Sequence, residues 1–370
     1  MKVESVRLHR VGLPLVSPFR TSFSVQTHRD VLLLELRGPQ TNGWGECVAM
    51  SDPLYSSEYV DGCADVLRRF LLPALAAAGD LTPLQIAEVL RPFRGHRMAK
   101  AAVEIAFIDA YLRERDESLG EFLGAMRERV PAGVSVGIMD SVPQLLDAVA
   151  GYLDQGYLRI KLKIEPGWDV APVRAVRERF GDDLLLQVDA NAAYTPADTR
   201  QLAKLDEFDL LLIEQPLDED EMLAHAELAK ALSTPICLDE SIVSVSAAAQ
   251  AIAVGACSVI NIKPGRVGGY LESRRIHDIA RANGLAVWCG GMLETGIGRA
   301  ANLALAALPG FVLPGDTSAS DRYYRRDVTE PFVLVDGHVA VPNGPGIGVS
   351  PIPEILTEIT TDTSEWTAAG

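Results

Sequence analysis

Apolar and polar positions follow two different rhythms along this chain, and the rhythm changes near residue 130. Before that point Val6, Leu8, Val11, Leu13 and Leu15 recur at near-alternate positions, the spacing of a half-buried strand, and residues 30–36 read as a second strand. Asn42-Gly43 marks a turn into Trp44-Gly45-Glu46. Helical spacing takes over at 58–72, 83–90 and 98–112, the last with Ala102, Ile105, Ala106 and Asp109 three and four apart. This first third reads as an α+β unit.

Beyond residue 130, short β-branched or leucine-rich runs alternate with amphipathic stretches. The runs fall at 133–137, 158–164, 184–189, 210–214, 235–240, 258–263, 285–289 and 312–316. Helix candidates at 142–153, 172–179, 199–205, 221–232, 247–254, 270–281 and 297–308 separate them. Strand–helix alternation predicts parallel strands with right-handed crossovers. Eight strand candidates fit a closed barrel better than an open sheet. The last stretch carries an apolar run at 331–335 and a Gly/Pro turn at 343–346, and is expected to return to the N-terminal unit. The expected division is a cap of residues 1–128, a barrel of 129–321, and a C-terminal segment, 322–370, rejoining the cap.

Composition narrows the function classes. The 370 residues are 48% hydrophobic and 23% charged, a globular balance, with a net charge of −16. Such a surface repels phosphate backbones and anionic headgroups, so neither nucleic acid nor a membrane is the expected partner. The run Phe70–Ala78 is too short to span a bilayer, and Met1-Lys2-Val3-Glu4 lacks the apolar stretch of a signal peptide. Cys47, Cys63, Cys237, Cys257 and Cys289 form no Cys-x-x-Cys pair. They are expected to be buried reduced thiols in a cytoplasmic protein.

The chemistry lies at the strand ends. Lys163, Asp189, Glu214, Asp239 and Lys263 each close a predicted strand, at gaps of 26, 25, 25 and 24 residues. In a parallel barrel, such ends meet at one mouth, where active sites are built. Three hard oxygen donors without His or Cys suit Mg²⁺ or Mn²⁺ rather than Zn²⁺. A desolvated lysine beside a cation can lose its proton and act as a base. Lys161, on the same strand face as Lys163, adds a second ammonium that lowers the Lys163 pKa further. The bound metal would hold a substrate carboxylate and stabilise the enolate formed on loss of its α-proton. Two other readings are weaker. Gly133-Val134-Ser135-Val136-Gly137 matches the serine-hydrolase pattern, but no strand precedes it and the motif itself reads as the first barrel strand. A binding scaffold would have no reason to keep five costly ionisable groups in one mouth.

These segments resemble the enolase superfamily, whose Lys or His bases work beside Mg²⁺. The likeness rests on Lys161-Leu162-Lys163, Asp189-Ala190-Asn191, Glu214-Gln215-Pro216, Asp239-Glu240-Ser241 and Lys263-Pro264-Gly265-Arg266. The paired lysines are similar to those of the muconate-lactonising subgroup. Pro18-Phe19-Arg20-Thr21-Ser22-Phe23 and Gly290-Gly291-Met292-Leu293-Glu294-Thr295-Gly296 resemble its o-succinylbenzoate synthase and N-acylamino-acid (N-succinylamino-acid) racemase branch. The resemblance implies a modified TIM barrel, (β/α)7β, under an α+β capping domain. It implies Asp189, Glu214 and Asp239 as ligands of Mg²⁺, with Mn²⁺ or Co²⁺ as substitutes, and Lys163 and Lys263 as the acid/base pair with Lys161 beside them. Substrate contacts would come from Ser135, Asn191, Gly291 and Met292, and from Phe19, Phe23, Met50 and Tyr55 of the cap loops.

The implied reactions are dehydration of a succinyl-hydroxycyclohexadiene carboxylate, a menaquinone-biosynthetic step, and racemisation of N-acylamino acids in the same site. A dedicated racemase or a muconate-cycloisomerase-type enzyme are the alternatives. Cys289 stands where a mandelate-racemase-like enzyme carries its His base. Asp316-Thr317-Ser318 lacks the Asp-x-Asp that holds a free α-amine in dipeptide epimerases, which favours an acylated or amine-free substrate. The partner is thus a small-molecule carboxylate, and a homo-oligomer is expected.

Overall fold

The computed structural model describes residues 1–368. Three long antiparallel strands open the chain: β1 (Ser5–Arg20), β2 (Val25–Arg37) and β3 (Asn42–Cys47). Short β4 (Arg129–Pro131) leads into the barrel strands β5 (Gly133–Val136), β6 (Arg159–Lys163), β7 (Leu185–Asp189), β8 (Ile213–Glu214), β9 (Ile236–Leu238), β10 (Val259–Ile262) and β11 (Ala286–Cys289). The tail supplies β12 (Leu334–Val335), β13 (His338–Ala340) and β14 (Thr360–Thr367).

The seven barrel strands pair in sequence order, all parallel, with helices between them. Their residues are buried on nearly every face, as a helix-wrapped parallel sheet requires. The eighth predicted strand, 312–316, does not form one. Pro314 interrupts it, and proline cannot donate to a ladder. The segment still occupies the gap between β11 and β5. Phe311 bridges to Val287 and Gly315 to Ala132. Gly133 N donates to Gly315 O at 2.7 Å, and Asp316 N to Cys289 O at 2.9 Å. The barrel is therefore closed by two bridges and not by an eighth ladder.

The cap forms as the alternation predicts, and the tail returns to it. β14 pairs with the outer edge of β1, giving the order β14-β1-β2-β3. β13 pairs with β4, so the tail also touches the barrel's entry strand. The helix expected at 58–72 runs from Val60 to Ala77, with a π-turn at Leu67–Leu71. Pro73 follows that turn; its ring would clash with the carbonyl four residues back in a regular helix, and the wider turn relieves this. The stretch at 199–205 shrinks to a four-residue α-helix, Thr199–Leu202, between two 3₁₀ turns.

Helix Arg97–Arg113 lies directly on β3. A Cβ added at Gly43 or Gly45 would fall 2.1 Å from Ala106 O or 2.2 Å from Ala102 O, so only glycine permits this approach. Buried carboxylates join cap to barrel. Glu46 accepts from Thr295 N, Thr295 Oγ1 and Gly298 N at the start of helix Gly296–Ala306. Glu104 accepts from Tyr270 N at 2.5 Å, at the start of helix Tyr270–Ala282. Each helix N-terminus thus has an orphan donor satisfied across the seam. Burial raises the Glu46 carboxyl to about 7 and the Glu104 carboxyl to about 8. All five cysteines are buried and unpaired. Among the described residues no helix is long and apolar enough to cross a membrane.

Candidate active site

The parallel register brings the strand-end residues together. Lys163 and Asp189 are direct partners across β6–β7, and Asp189 and Glu214 across β7–β8. Asp239 follows β9 by one residue and Lys263 follows β10 by one. In the sheet order, the two lysine-bearing strands β6 and β10 flank the three that end in carboxylates. Asp189, Glu214 and Asp239 are fully buried.

Lys163 and Lys263 have separate acid partners, and Lys161 shares Asp189 with Lys163. Lys163 Nζ donates to Asp189 Oδ2 at 2.5 Å and Asn191 Oδ1 at 2.6 Å. Lys263 Nζ donates to Asp239 Oδ2 at 2.7 Å and Tyr55 Oη at 3.1 Å. Lys161 Nζ stands 2.6 Å from Asp316 Oδ2, 3.1 Å from Glu214 Oε2 and 3.4 Å from Asp189 Oδ2, over the Trp288 ring.

These surroundings split the three amines. Burial pushes Lys163 below the ordinary lysine value; Asp189 opposes this, and the Lys161 ammonium adds to it, as the shared strand face predicts. Burial acts on Lys161 as well, but Asp316, Glu214 and Asp189 outweigh it, and its pKa is raised. Lys263 is raised too, against its burial, by the facing Tyr55 and the carboxylates of Glu240, Glu214 and Asp189. Burial raises the Tyr55 phenol, so it is neutral at pH 7 and the carboxylates carry that effect. Burial also raises Glu214, and raises Glu240 to about 7. Asp189 is held low: its burial is overcome by Lys163 and Lys161.

The donor set suits a hard divalent cation: three buried carboxylates from adjacent strand ends, without His or Cys. Asp239 Oδ1 makes no hydrogen bond; the Arg266 guanidinium presses against it outside hydrogen-bond geometry. Glu240 Oε2 is also buried and unpartnered. In the present arrangement the ammoniums take up the carboxylates, and among the described residues no three His, Cys, Asp or Glu side chains form a ready metal cluster. The chemistry of the donors fits the cation; binding it requires the lysines to yield those oxygens.

The other predicted residues divide. Asn191 joins the cluster, donating to Glu240 Oε1 at 2.9 Å. Tyr55 and Phe23, with ring centroids 6.2 Å apart, line an open cavity of about 370 Å³ with Asn191 and Glu240. Ser22 Oγ donates to Ala190 O, anchoring the cap loop to the end of β7. Ser135 sits inside β5, its Oγ buried and unpartnered, and the next helix begins only at Val142. A strand, β4, does precede the motif, against the expectation from sequence, but Ser135 lies within β5 with no helix directly after it, so this is not a strand-to-helix nucleophile turn. Gly291 lies close to Asp316 and Glu294. Phe19 instead packs among Leu13, Leu293, Tyr323 and Tyr324, and Met292 joins the cap's apolar cluster. Met50 is buried where the chain bridges to Tyr59.

Three further residues belong to the site without having been singled out by the spacing. Asp316 binds both Lys161 and Arg159. Asn261 donates to Glu214 Oε1 at 2.6 Å. Arg266 reaches Tyr55 Oη, Asn261 O and Ile242 O. Arg266 lies three residues after Lys263 on the short helix Pro264–Val267, and that proximity was the available signal.

Residues 144–355 match the family model of the enolase C-terminal domain-like group. An Amycolatopsis N-succinylamino acid racemase is 65% identical over 361 residues, covering 98% of each chain. The o-succinylbenzoate synthase of Bacillus subtilis is 41% identical, covering 100% of each. A solved enolase-superfamily member from Listeria innocua superposes with a TM-score of 0.95 at 41% identity, covering 99% of each. Fold, strand-end cluster and full-length likeness agree: the chain belongs to the enolase superfamily.

Proposed function

We propose that this enzyme removes the proton α to a carboxylate, using Lys163 and Lys263 as an acid/base pair, and that it both dehydrates to o-succinylbenzoate and racemises N-succinyl- or N-acylamino acids. The observation that carries the reading is the placement of the two lysines on strands flanking the three carboxylate-bearing ends. Asp189, Glu214 and Asp239 would hold Mg²⁺, with Mn²⁺ or Co²⁺ as substitutes, which supplies positive charge beside the developing enolate.

The chain's own groups do the rest. Lys163, whose ammonium is destabilised by burial and by Lys161, is the amine best prepared to accept a proton. Asn191 Oδ1 orients it. Lys263 rests as a cation against Tyr55 and Asp239, suited to stabilise an enolate or to deliver a proton from its own strand's side. Dehydration needs Lys163 alone as base, with the same ammonium then protonating the departing hydroxide. Racemisation needs both lysines, one per face. Phe23 and Tyr55 line the mouth, where a bound substrate would displace water from beside the reacting carbon.

The division into 1–128, 129–321 and 322–370, the cytoplasmic setting and a homo-oligomeric state belong to the same reading. Five buried free thiols support the reducing compartment. The 65% identical racemase favours racemisation as the main activity over dehydration. Proton NMR in D₂O with N-succinyl-L-methionine, with Mg²⁺ and separately with EDTA, tests the reading. Metal-dependent loss of the α-proton signal with growth of the D enantiomer is expected. Absence of exchange with metal present would remove the racemase half and leave the dehydratase.

A further inference from the structure

Residues 91–100 read Arg-Pro-Phe-Arg-Gly-His-Arg-Met-Ala-Lys: four cations at every third position and no acid, in a chain of net charge −16. The structure gathers these four side chains, Arg91, Arg94, Arg97 and Lys100, around a cavity of about 330 Å³ at the seam between cap and barrel, which shares no lining residue with the strand-end cluster. Arg275, on a barrel helix, adds a fifth cation from the opposite wall. Two carboxylates also line the space: Glu104 is turned to the barrel helix, and Glu272 answers only Arg275 of the five cations. Glu104 accepts from Tyr270 N, and Glu272 accepts from Val245 N and pairs with Arg275.

Arg94 and Arg97 have neither a carboxylate within 4.0 Å nor a side-chain hydrogen bond among the described residues. Glu88 pairs with Arg91, Glu272 pairs with Arg275 and Glu58 acts on Lys100, so positive charge is locally in excess at Arg94 and Arg97. Lys100 feels it: burial, then Arg97, push its pKa below the ordinary value against the pull of Glu58, with Arg94 acting in the same sense as Arg97. Its ammonium is turned onto Phe93 O. The cavity falls in the size range of small-molecule sites.

We infer that this seam cavity is a binding site for a compact anion of two or more charges, a phosphate or polycarboxylate, held by Arg94, Arg97 and Lys100 from the cap and Arg275 from the barrel. Planar guanidiniums and an ammonium converging from several sides are the donor set such anions take. An occupant would bridge helix Arg97–Arg113 of the cap and helix Tyr270–Ala282 of the barrel, and so stiffen the seam that Glu104 already closes.

Isothermal titration of the full chain with pyrophosphate, and separately with citrate, tests the site. Sodium chloride of matched ionic strength is the control. Saturable binding of one anion per chain is expected, weakened about tenfold or more in the Arg94→Gln/Arg97→Gln variant, the loss of one to two charge-assisted contacts. Pyrophosphate binding without citrate binding assigns the phosphate class; the reverse assigns the polycarboxylate class. Circular dichroism confirms the variant's fold, and the single Arg94→Gln change at an exposed position serves if the double variant does not fold. Heat signals matched by chloride, or binding unchanged in the variants, would overturn the inference. So would a variant that changes only the sedimentation coefficient, which would give the patch to a second copy of the chain.

Discussion

Replacing Glu104 by Gln probes the cap–barrel seam most cleanly. The buried Glu104 carboxyl titrates near 8 in the fold against an ordinary 4.5. Its folded pKa is raised, so the neutral acid is the form the fold favours. Its contribution to stability is complete below pH 4.5 and is lost as pH climbs toward 8. Within that window one such group changes stability by about 1.4 kcal/mol per pH unit, so the loss between pH 5 and pH 8 is about 4 kcal/mol. Glutamine keeps a carbonyl oxygen for Tyr270 N–H and never ionises. Glu46, near 7, and Asp109, near 6, are common to both proteins and cancel in the difference. Urea unfolding of parent and variant at pH 5, 6, 7 and 8 is the assay. The variant should gain on the parent steadily with pH, by about 4 kcal/mol in total. A parent–variant difference that stays flat across the series refutes the buried, protonated Glu104.

Three other changes test neighbouring parts. Asp316→Asn leaves buried Lys161 and Arg159 without their shared anion and should cost about 3–5 kcal/mol in urea unfolding; an unchanged midpoint would show that Glu214 and Asp189 suffice for Lys161. Gly45→Ala drives a methyl into the backbone at Ala102 O, which cannot swing aside, and should lower stability by about 3 kcal/mol; a thermal midpoint equal to the parent's would mean that the helix slides freely over β3. Asp239→Asn should weaken Mg²⁺ activation of α-proton exchange at least tenfold by removing a charged ligand; an unaltered Mg²⁺ dependence would remove Asp239 from the donor set.

Much of the barrel was legible because a βα repeat writes itself twice, in apolar periodicity and in the regular spacing of Lys163, Asp189, Glu214, Asp239 and Lys263. Parallel register then carries strand ends to one mouth with little further information. What stayed hidden depends on particular contacts. The closing segment 312–316 has the apolar content of a strand, yet Pro314 costs it the ladder. Phe19 and Met292 carry apolar side chains equally suited to a substrate wall or a core, and only packing assigns them to clusters with Tyr323 and with the cap helices. Asp316 and Asn261 act through long-range pairs, 155 residues from Lys161 and 47 from Glu214, which no local pattern announces.

The most direct measurement is enantiomer-resolved α-proton exchange in D₂O by the parent, Lys163→Ala and Lys263→Ala proteins, with both N-succinyl-L- and N-succinyl-D-methionine and Mg²⁺ present. Two-base chemistry predicts that each variant loses racemisation entirely. It also predicts that one enantiomer still exchanges slowly in each, a different one for each lysine removed. Racemisation persisting in either variant, or both variants exchanging the same enantiomer, would contradict a lysine on each face of the substrate.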